Sequence, residues 1–214
     1  MRQGAGENAA VCTSLLEELR ERELDTSQPI LTVIDGSKAL AAAVKRVWGA
    51  KAQVQRCQIH KRRNIEAHLP EKHHDELRRM LNAAWHDTDY QRAKKQLLTT
   101  MRWLERLSPS AANSLGEGWK RRLTVVKLQL SELLRKTLAT INPIESALSV
   151  TRTVTGRVTR WRDGDMRLRW CTAGLLRAEE KFRPIKGFRH LSQLARALHQ
   201  EVHGPTLESN RKSA

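Results

Sequence analysis

The sequence predicts an α/β protein that is mostly helical, and three observations carry that expectation. The apolar, β-branched run Ile30–Ile34 reads as a buried strand that delivers Asp35 at its end. A weaker alternating run, Ala52–Cys57, follows after one helical segment. From Glu71 to Leu138 the apolar residues recur at helical spacing throughout.

Each element has its own signal. Residues 7–24 form an amphipathic helix with Val11, Leu15 and Leu19 on one stripe, and the turn DTSQP at 25–29 ends it. After the first strand, Gly36 and Ser37 open a helix whose Leu40, Val44, Val47 and Trp48 share a face, and Gly49 stops it. The helical block carries three stripes: Leu77, Met80, Leu81 and Ala84; Ala93, Leu97, Met101 and Leu104; then Leu123, Val126, Leu130, Leu133 and Leu134. Loops such as LSPSA (107–111) separate them. Asn142-Pro143 opens a helix bearing Ala147, Val150 and Val154, and a further helix presents Leu168, Cys171, Leu175, Ala178 and Phe182. The tail after about residue 203 is expected to be disordered.

This order fits an incomplete ribonuclease-H-like core interrupted by a large α-helical insertion. Residues 1–70 are then the second half of the core, 71–140 the insertion, 141–202 the C-terminal core helices, and 203–214 the tail. The strands that open such a core are expected upstream of the first helix.

Charge narrows the function. The chain has 214 residues, 39 Lys and Arg against 23 Asp and Glu, and a formal net charge of +16. Counterion release on phosphate contact rewards such a distribution, so nucleic acid is the expected partner, and the balance fits DNA and RNA equally. The cysteines Cys12, Cys57 and Cys171 are odd in number and far apart, which excludes a disulfide framework. No signal-peptide core or membrane-length apolar run occurs, so a reduced, cytoplasmic protein without a membrane partner is expected.

Several side chains could carry chemistry. Asp35 at a strand end could hold Mg²⁺ through oxygen, or serve as a helix cap or turn aspartate before Gly36. Glu145 has a structural alternative as well: Asn142-Pro143-Ile144-Glu145 fits a capping box with Asn142 as N-cap. Cys57-Gln58-Ile59-His60 has the spacing of half a zinc site, but no second pair completes it, and burial of Cys57 beside a polar His60 is the simpler reading. Basic runs follow, at Lys61, Arg62 and Arg63 and at Lys120, Arg121 and Arg122. The strongest comprises Arg152, Arg157, Arg160, Arg162, Arg167 and Arg169, interleaved with Trp161 and Trp170. Guanidinium groups hold phosphates and indoles stack on bases; the alternative is a solvated helix face with Trp in the core.

Taken together, GAGENAA, VIDGSKAL, QRCQIHKRRN, NPIES and WRDGDMRLRW occur in an order that resembles the Mutator-type DDE transposases of bacterial insertion sequences, from about Gly4 to His199. The resemblance implies a ribonuclease-H-like catalytic core, an α-helical insertion before the last carboxylate, and cleavage and joining of DNA with two Mg²⁺ (or Mn²⁺) ions. It makes Asp35 the second catalytic aspartate and Glu145 the catalytic glutamate, both metal ligands. Cys57 and His60 match the family's Cys-x-x-His signature, with a structural or supporting role, and the arginines and Arg62–Arg63 would contact DNA. The family's first aspartate falls upstream of the GAGENAA match, and neither Asp25 in its turn nor Glu7 at a helix start replaces it. The family's N-terminal DNA-binding region is missing too, and Ile141 stands where a threonine is frequent. The expectation is an N-terminally truncated transposase, nucleoid-associated and inactive alone. It would bind double-stranded DNA at element ends and target, and pair with its own copies or with full-length transposase. The alternative is a non-catalytic, inhibitory DNA-binding fragment; a basic RNA-binding protein is a third reading.

Overall fold

The computed structural model describes residues 8–204. Its elements run α1 (Ala9–Glu21), β1 (Ile30–Ile34), α2 (Lys38–Trp48), β2 (Ala52–Arg56), α3 (Gln58–Glu66), α4 (His74–His86), α5 (Tyr90–Leu107), α6 (Pro109–Gly116), α7 (Thr124–Lys127), α8 (Glu132–Leu138), α9 (Asn142–Thr155), α10 (Gly164–Glu179) and α11 (Leu191–His203). Short 3₁₀ turns join some of them. Residue 7, placed in the first helix by its pattern, and residues 205–214 of the expected tail lie outside the described residues. No described helix is long and apolar enough to cross a membrane.

The protein is mostly helical around a two-stranded parallel sheet, in which β1 and β2 pair from Ile30↔Ala52 to Ile34↔Arg56. Parallel strands need a crossover, and α2 supplies it. It buries Ala41, Ala43, Val44 and Trp48, and α1 packs against it. Ser37 caps α2, its Oγ accepting the Leu40 N–H at 3.0 Å. Gly49 ends the helix at φ 58°, a conformation that suits glycine.

β2 stops one residue earlier than its alternation suggests, because Cys57 turns out of the strand as the N-cap residue of α3. The buried residue of β2 is Gln55, on the face opposite Val54. Its Nε2 donates to the carbonyls of Arg56 at 2.7 Å and Arg122 at 3.1 Å, and its Oε1 accepts the Val125 N–H at 3.1 Å. A buried amide so fully paired is tolerated. With the Thr124 hydroxyl donating to the Val54 carbonyl at 2.7 Å, it ties the strand to α7.

Two apolar clusters hold the helices. The larger runs from Ile65 through Leu77, Leu81, Trp85, Leu97 and Leu104 to Val126; the smaller joins Val125, Leu130, Leu134 and Leu198, with Leu31 of β1 against it. Four local expectations need correction. α3 forms where no helix was assigned. The loop expected at 107–111 shrinks to Ser108, which ends α5 and caps α6, with Pro109 in the first turn of α6. The stripe from Leu123 to Leu134 is not one helix: Gln129 takes φ 49°, dividing α7 from α8, and leaves Leu133 exposed. Phe182 lies beyond the end of α10 and is exposed.

α9 and α10 pack closely, with Gly174 against Thr151. A Cβ on Gly174 would lie 2.8 Å from the Thr151 Cα, where backbone must move. Gly174→Ala should therefore destabilise the protein by about 1–2 kcal/mol despite alanine's better helix propensity. Urea denaturation of the two proteins measures this.

Candidate functional site

Ile34 is buried, so the strand end is fixed, and Asp35 emerges exposed directly after it. Its Oδ1 accepts the Ser37 N–H at 3.1 Å, the geometry of an aspartate turn. The helix cap is Ser37, so the cap role considered for Asp35 does not hold, while the turn role does. Gly36 has φ 122° and lies under the Arg56 side chain; a Cβ there would sit 2.6 Å from Nη2. The guanidinium of Arg56 thus covers the turn that carries Asp35.

The backbone N–H of Cys57 donates to the Ile34 carbonyl at 2.6 Å, which fixes Cys57 beside the same strand end. Its thiol is buried, and Sγ lies 3.3 Å from Nδ1 of His60, three residues on. Nε2 of His60 lies 3.3 Å from Oε1 of Glu145. A neutral imidazole satisfies both contacts when the thiol donates to Nδ1 and Nε2–H donates to the carboxylate.

The capping box expected at Glu145 is not formed. Ile141 is the N-cap residue of α9 and no side chain caps it. Pro143 already removes one donor from that first turn, and the Glu145 carboxylate points to His60 instead. Contacts therefore run without a break from Ile34 through Cys57 and His60 to Glu145. Both carboxylates are reachable from solvent, Glu145 being 37 % exposed. Their oxygens suit a hard divalent cation and can form part of its ligand set. Among the described residues no group of three or more His, Cys, Asp and Glu comes together as a metal site, so the half zinc site at Cys57 and His60 gains no completing ligands.

Arg152 lies on α9, Arg157, Arg160 and Arg162 on the connection to α10, and Arg167 and Arg169 on α10; all six are exposed. Among the described residues only Arg162 of these forms an ion pair, with Asp163 at 2.8 Å. Trp161 and Trp170 are 37 % exposed, against the reading that placed them in the core. Arg63 is exposed, while Arg62 is half-buried with Nε 3.6 Å from Glu66.

Two cations in the basic runs are not on the surface. Lys61 is buried, donating to the Ser114 hydroxyl at 3.0 Å, with Nζ 3.6 Å from Glu117 Oε2. Burial first, then Arg56 and Arg122, lowers its pKa to about 8. Arg122 is wholly buried, and burial followed by Arg56 disfavours its charge. Arg56 and Glu117 escaped the sequence reading. The signal for Arg56 was its place at the end of the second strand, opposite Ile34; nothing local marked Glu117.

A strand-end carboxylate and a helix-borne glutamate are thus connected through Cys57 and His60 on a strongly basic, mostly helical α/β scaffold. Comparison with known families is more specific. The model of the family described as Transposase, Mutator family, matches residues 1–168, and the chain belongs to that family. It is also similar to the transposase for insertion sequence element IST2 of Acidithiobacillus ferrooxidans, 28% identical over 154 residues, which are 72% of this chain and 51% of the relative. The chain thus spans about half the length of that curated relative.

The buried lysine has a stability consequence. Unfolded, it keeps its proton up to about 10.5; folded, it releases it near 8. The unfolded state binds more protons between these values, so stability rises with pH across that window. Compared with wild type, Lys61→Met should lack a rise on the order of 3 kcal/mol, read from denaturation at pH 7 to 10.5.

Proposed function

We propose that this chain contributes to DNA transposition of an insertion sequence, as part of a ribonuclease-H-like DDE nuclease site built from Asp35 and Glu145. The observation that carries the reading is the His60–Glu145 contact at 3.3 Å, which joins the glutamate to the strand end of Asp35 in place of a helix cap. Asp35 and Glu145 are the proposed ligands of Mg²⁺ or Mn²⁺. Bound there, such an ion supplies Lewis-acid stabilisation for in-line attack on a phosphodiester.

The protein's own groups have separate tasks in this reading. His60, steadied by Cys57, is a positioning residue that holds one oxygen of Glu145 and leaves the other for an external ligand. The exposed arginines from Arg152 to Arg169, with Arg63 and the exposed part of Arg62, contact the phosphates of double-stranded DNA at element ends and target. Trp161 and Trp170 offer stacking surfaces for distorted bases. Phosphate contacts set position and affinity, and sequence choice needs base contacts made elsewhere. The helices between residues 71 and 140 act as an insertion ahead of the glutamate. The expected setting is the bacterial nucleoid, with further copies of the chain or full-length transposase as partners.

Among the described residues the site has two carboxylates, Asp35 and Glu145, and no group of three or more possible metal ligands, so we propose that this chain binds DNA but does not cleave it alone. The second reading, a non-catalytic inhibitory DNA-binding protein, is favoured by the pairing of an exposed basic surface with two site carboxylates among the described residues.

The test uses purified chain, duplex DNA carrying element ends, and Mg²⁺ or Mn²⁺. Binding should weaken steeply with salt, and Arg157→Ala with Arg160→Ala should lower the slope of log K on log salt by about two. No strand should be cut. Cleavage that disappears in Glu145→Gln would show that the chain is sufficient and overturn the claim of insufficiency. Salt-insensitive or absent binding would overturn the DNA reading. Titrating the chain into a reaction of a full-length Mutator-family transposase should reduce transposition if the fragment is inhibitory.

A further inference from the structure

We propose that Arg56, Lys61, Ser114 and Asn113 form a subsite for a DNA backbone phosphate next to Asp35, and that Glu117 occupies it when no DNA is bound. The proposal rests on the DNA reading above and adds a defined anion site to it.

The argument starts from a charge imbalance. Arg56, Lys61 and Arg122 lie together, with Glu117 as their common carboxylate. Glu117 Oε2 is 3.9 Å from Nη1 of Arg56 and 3.6 Å from Nζ of Lys61. The Glu117 side chain is 62% exposed, whereas those of Lys61 and Arg56 are 1% and 14% exposed. Nε of Arg56 and both Nε and Nη1 of Arg122 are buried without a hydrogen-bond partner. Cations removed from water at this density need anionic partners, and one outward-facing carboxylate is a thin supply.

The space for an anion is present. A cavity of about 400 Å³ has Lys61, Asn113, Ser114 and Glu117 in its wall, with Ala67 as its apolar member, and Arg56 meets it through Glu117. Glu117 sits at the C-terminal end of α6, next to Gly118 at φ 60°, on a turn and outside the helix. Its carboxylate can leave without opening the core. A phosphodiester has the same single charge and offers oxygens to guanidinium, ammonium, hydroxyl and amide donors. The Arg56 side chain also covers Gly36, so a phosphate held by Arg56 lies beside the turn of Asp35. Glu117 would then be a built-in competitor, standing in for a strand phosphate.

The experiment compares wild type, Glu117→Gln, Lys61→Met and the double variant by fluorescence anisotropy with a short duplex oligonucleotide across a salt series. Glu117→Gln should bind on the order of fivefold tighter, because a like charge facing the strand is gone. Lys61→Met should bind more weakly, with a salt slope shallower by about one, and the double variant should lose the gain. Thermal melting checks folding, because Glu117→Gln also removes the carboxylate shared by the buried cations. Unchanged or weaker binding by folded Glu117→Gln overturns the subsite while wild-type binding keeps the DNA reading. A second readout does not depend on DNA. In the reductively ¹³C-methylated protein, inorganic pyrophosphate should raise the titration midpoint of Lys61 from its value near 8. If that shift occurs where no DNA binds, the anion site stands and the DNA reading falls. No shift at saturating pyrophosphate overturns the site.

Discussion

The parallel pairing of β1 with β2 is the constraint on which the site depends. Two five-residue strands have little stability by themselves, so their alignment has to be imposed from outside the ladder. On one side, α2 crosses between them and is covered by α1. On the other, Gln55 and Thr124 bind β2 to the segment around α7. The register Ile34↔Arg56 brings Asp35, Arg56 and Cys57 out at one end of the sheet, and the Cys57 N–H to Ile34 carbonyl bond extends the pairing past the last ladder position. A slip of one residue would turn Gln55 away from its three partners and reverse the faces of both neighbours. The C-terminal ends of parallel strands are where α/β folds gather ligands, because chain direction changes there and backbone groups become free.

Electrostatics adds direction to this frame. Many charges are paired locally along their own helices: Arg79 with Glu76, Lys136 with Glu132, Arg177 with Glu180. Such exposed pairs contribute little stability, but they neutralise the faces that bear them. The exposed arginines from Arg152 to Arg169 add a basic stretch in which, among the described residues, only Arg162 has an ion-pair partner. The basic stretch continues from the helix that carries Glu145. Tight packing of Gly174 on Thr151 fixes α10 against α9, so the glutamate and the arginines on both helices share one rigid unit.

How much of this could be read from the sequence depends on whether a signal was local. β1 was legible to the residue, because a β-branched run and a Gly-Ser helix start delimit it, and α2 was legible for its stripe and cap. α3 was not, since its residues QIHKRRNIE show no apolar face and Cys57 gives it no side-chain cap bond. Ser108-Pro109 looked like a loop, although Ser followed by Pro is also how a helix begins. The carboxylates Asp35 and Glu145 stood out because motifs surround them. Their connection did not, because Cys57 and His60 share a helix start whereas Glu145 arrives by a tertiary contact. Burial of Lys61 and Arg122 was invisible for a similar reason. A basic run looks the same in sequence whether its side chains meet water or meet Ser114 and the carbonyl of Leu115.

The glutamate shows why a local rule yields at such a site. A capping box at Asn142–Glu145 would stabilise α9 by about 1 kcal/mol, and the residues for it are present. The structure forgoes it: α9 begins without a side-chain cap, and the carboxylate turns to His60. Pro143 lessens what is lost, because one N–H of the first turn is already gone. A glutamate bound back onto its own helix would give its charge to backbone donors and face away from any ligand. Held at one oxygen by an imidazole that is itself fixed by Cys57, it keeps its orientation and its second oxygen together. That combination is what a proposed metal ligand requires, and it follows from a contact between two elements that neither one specifies alone.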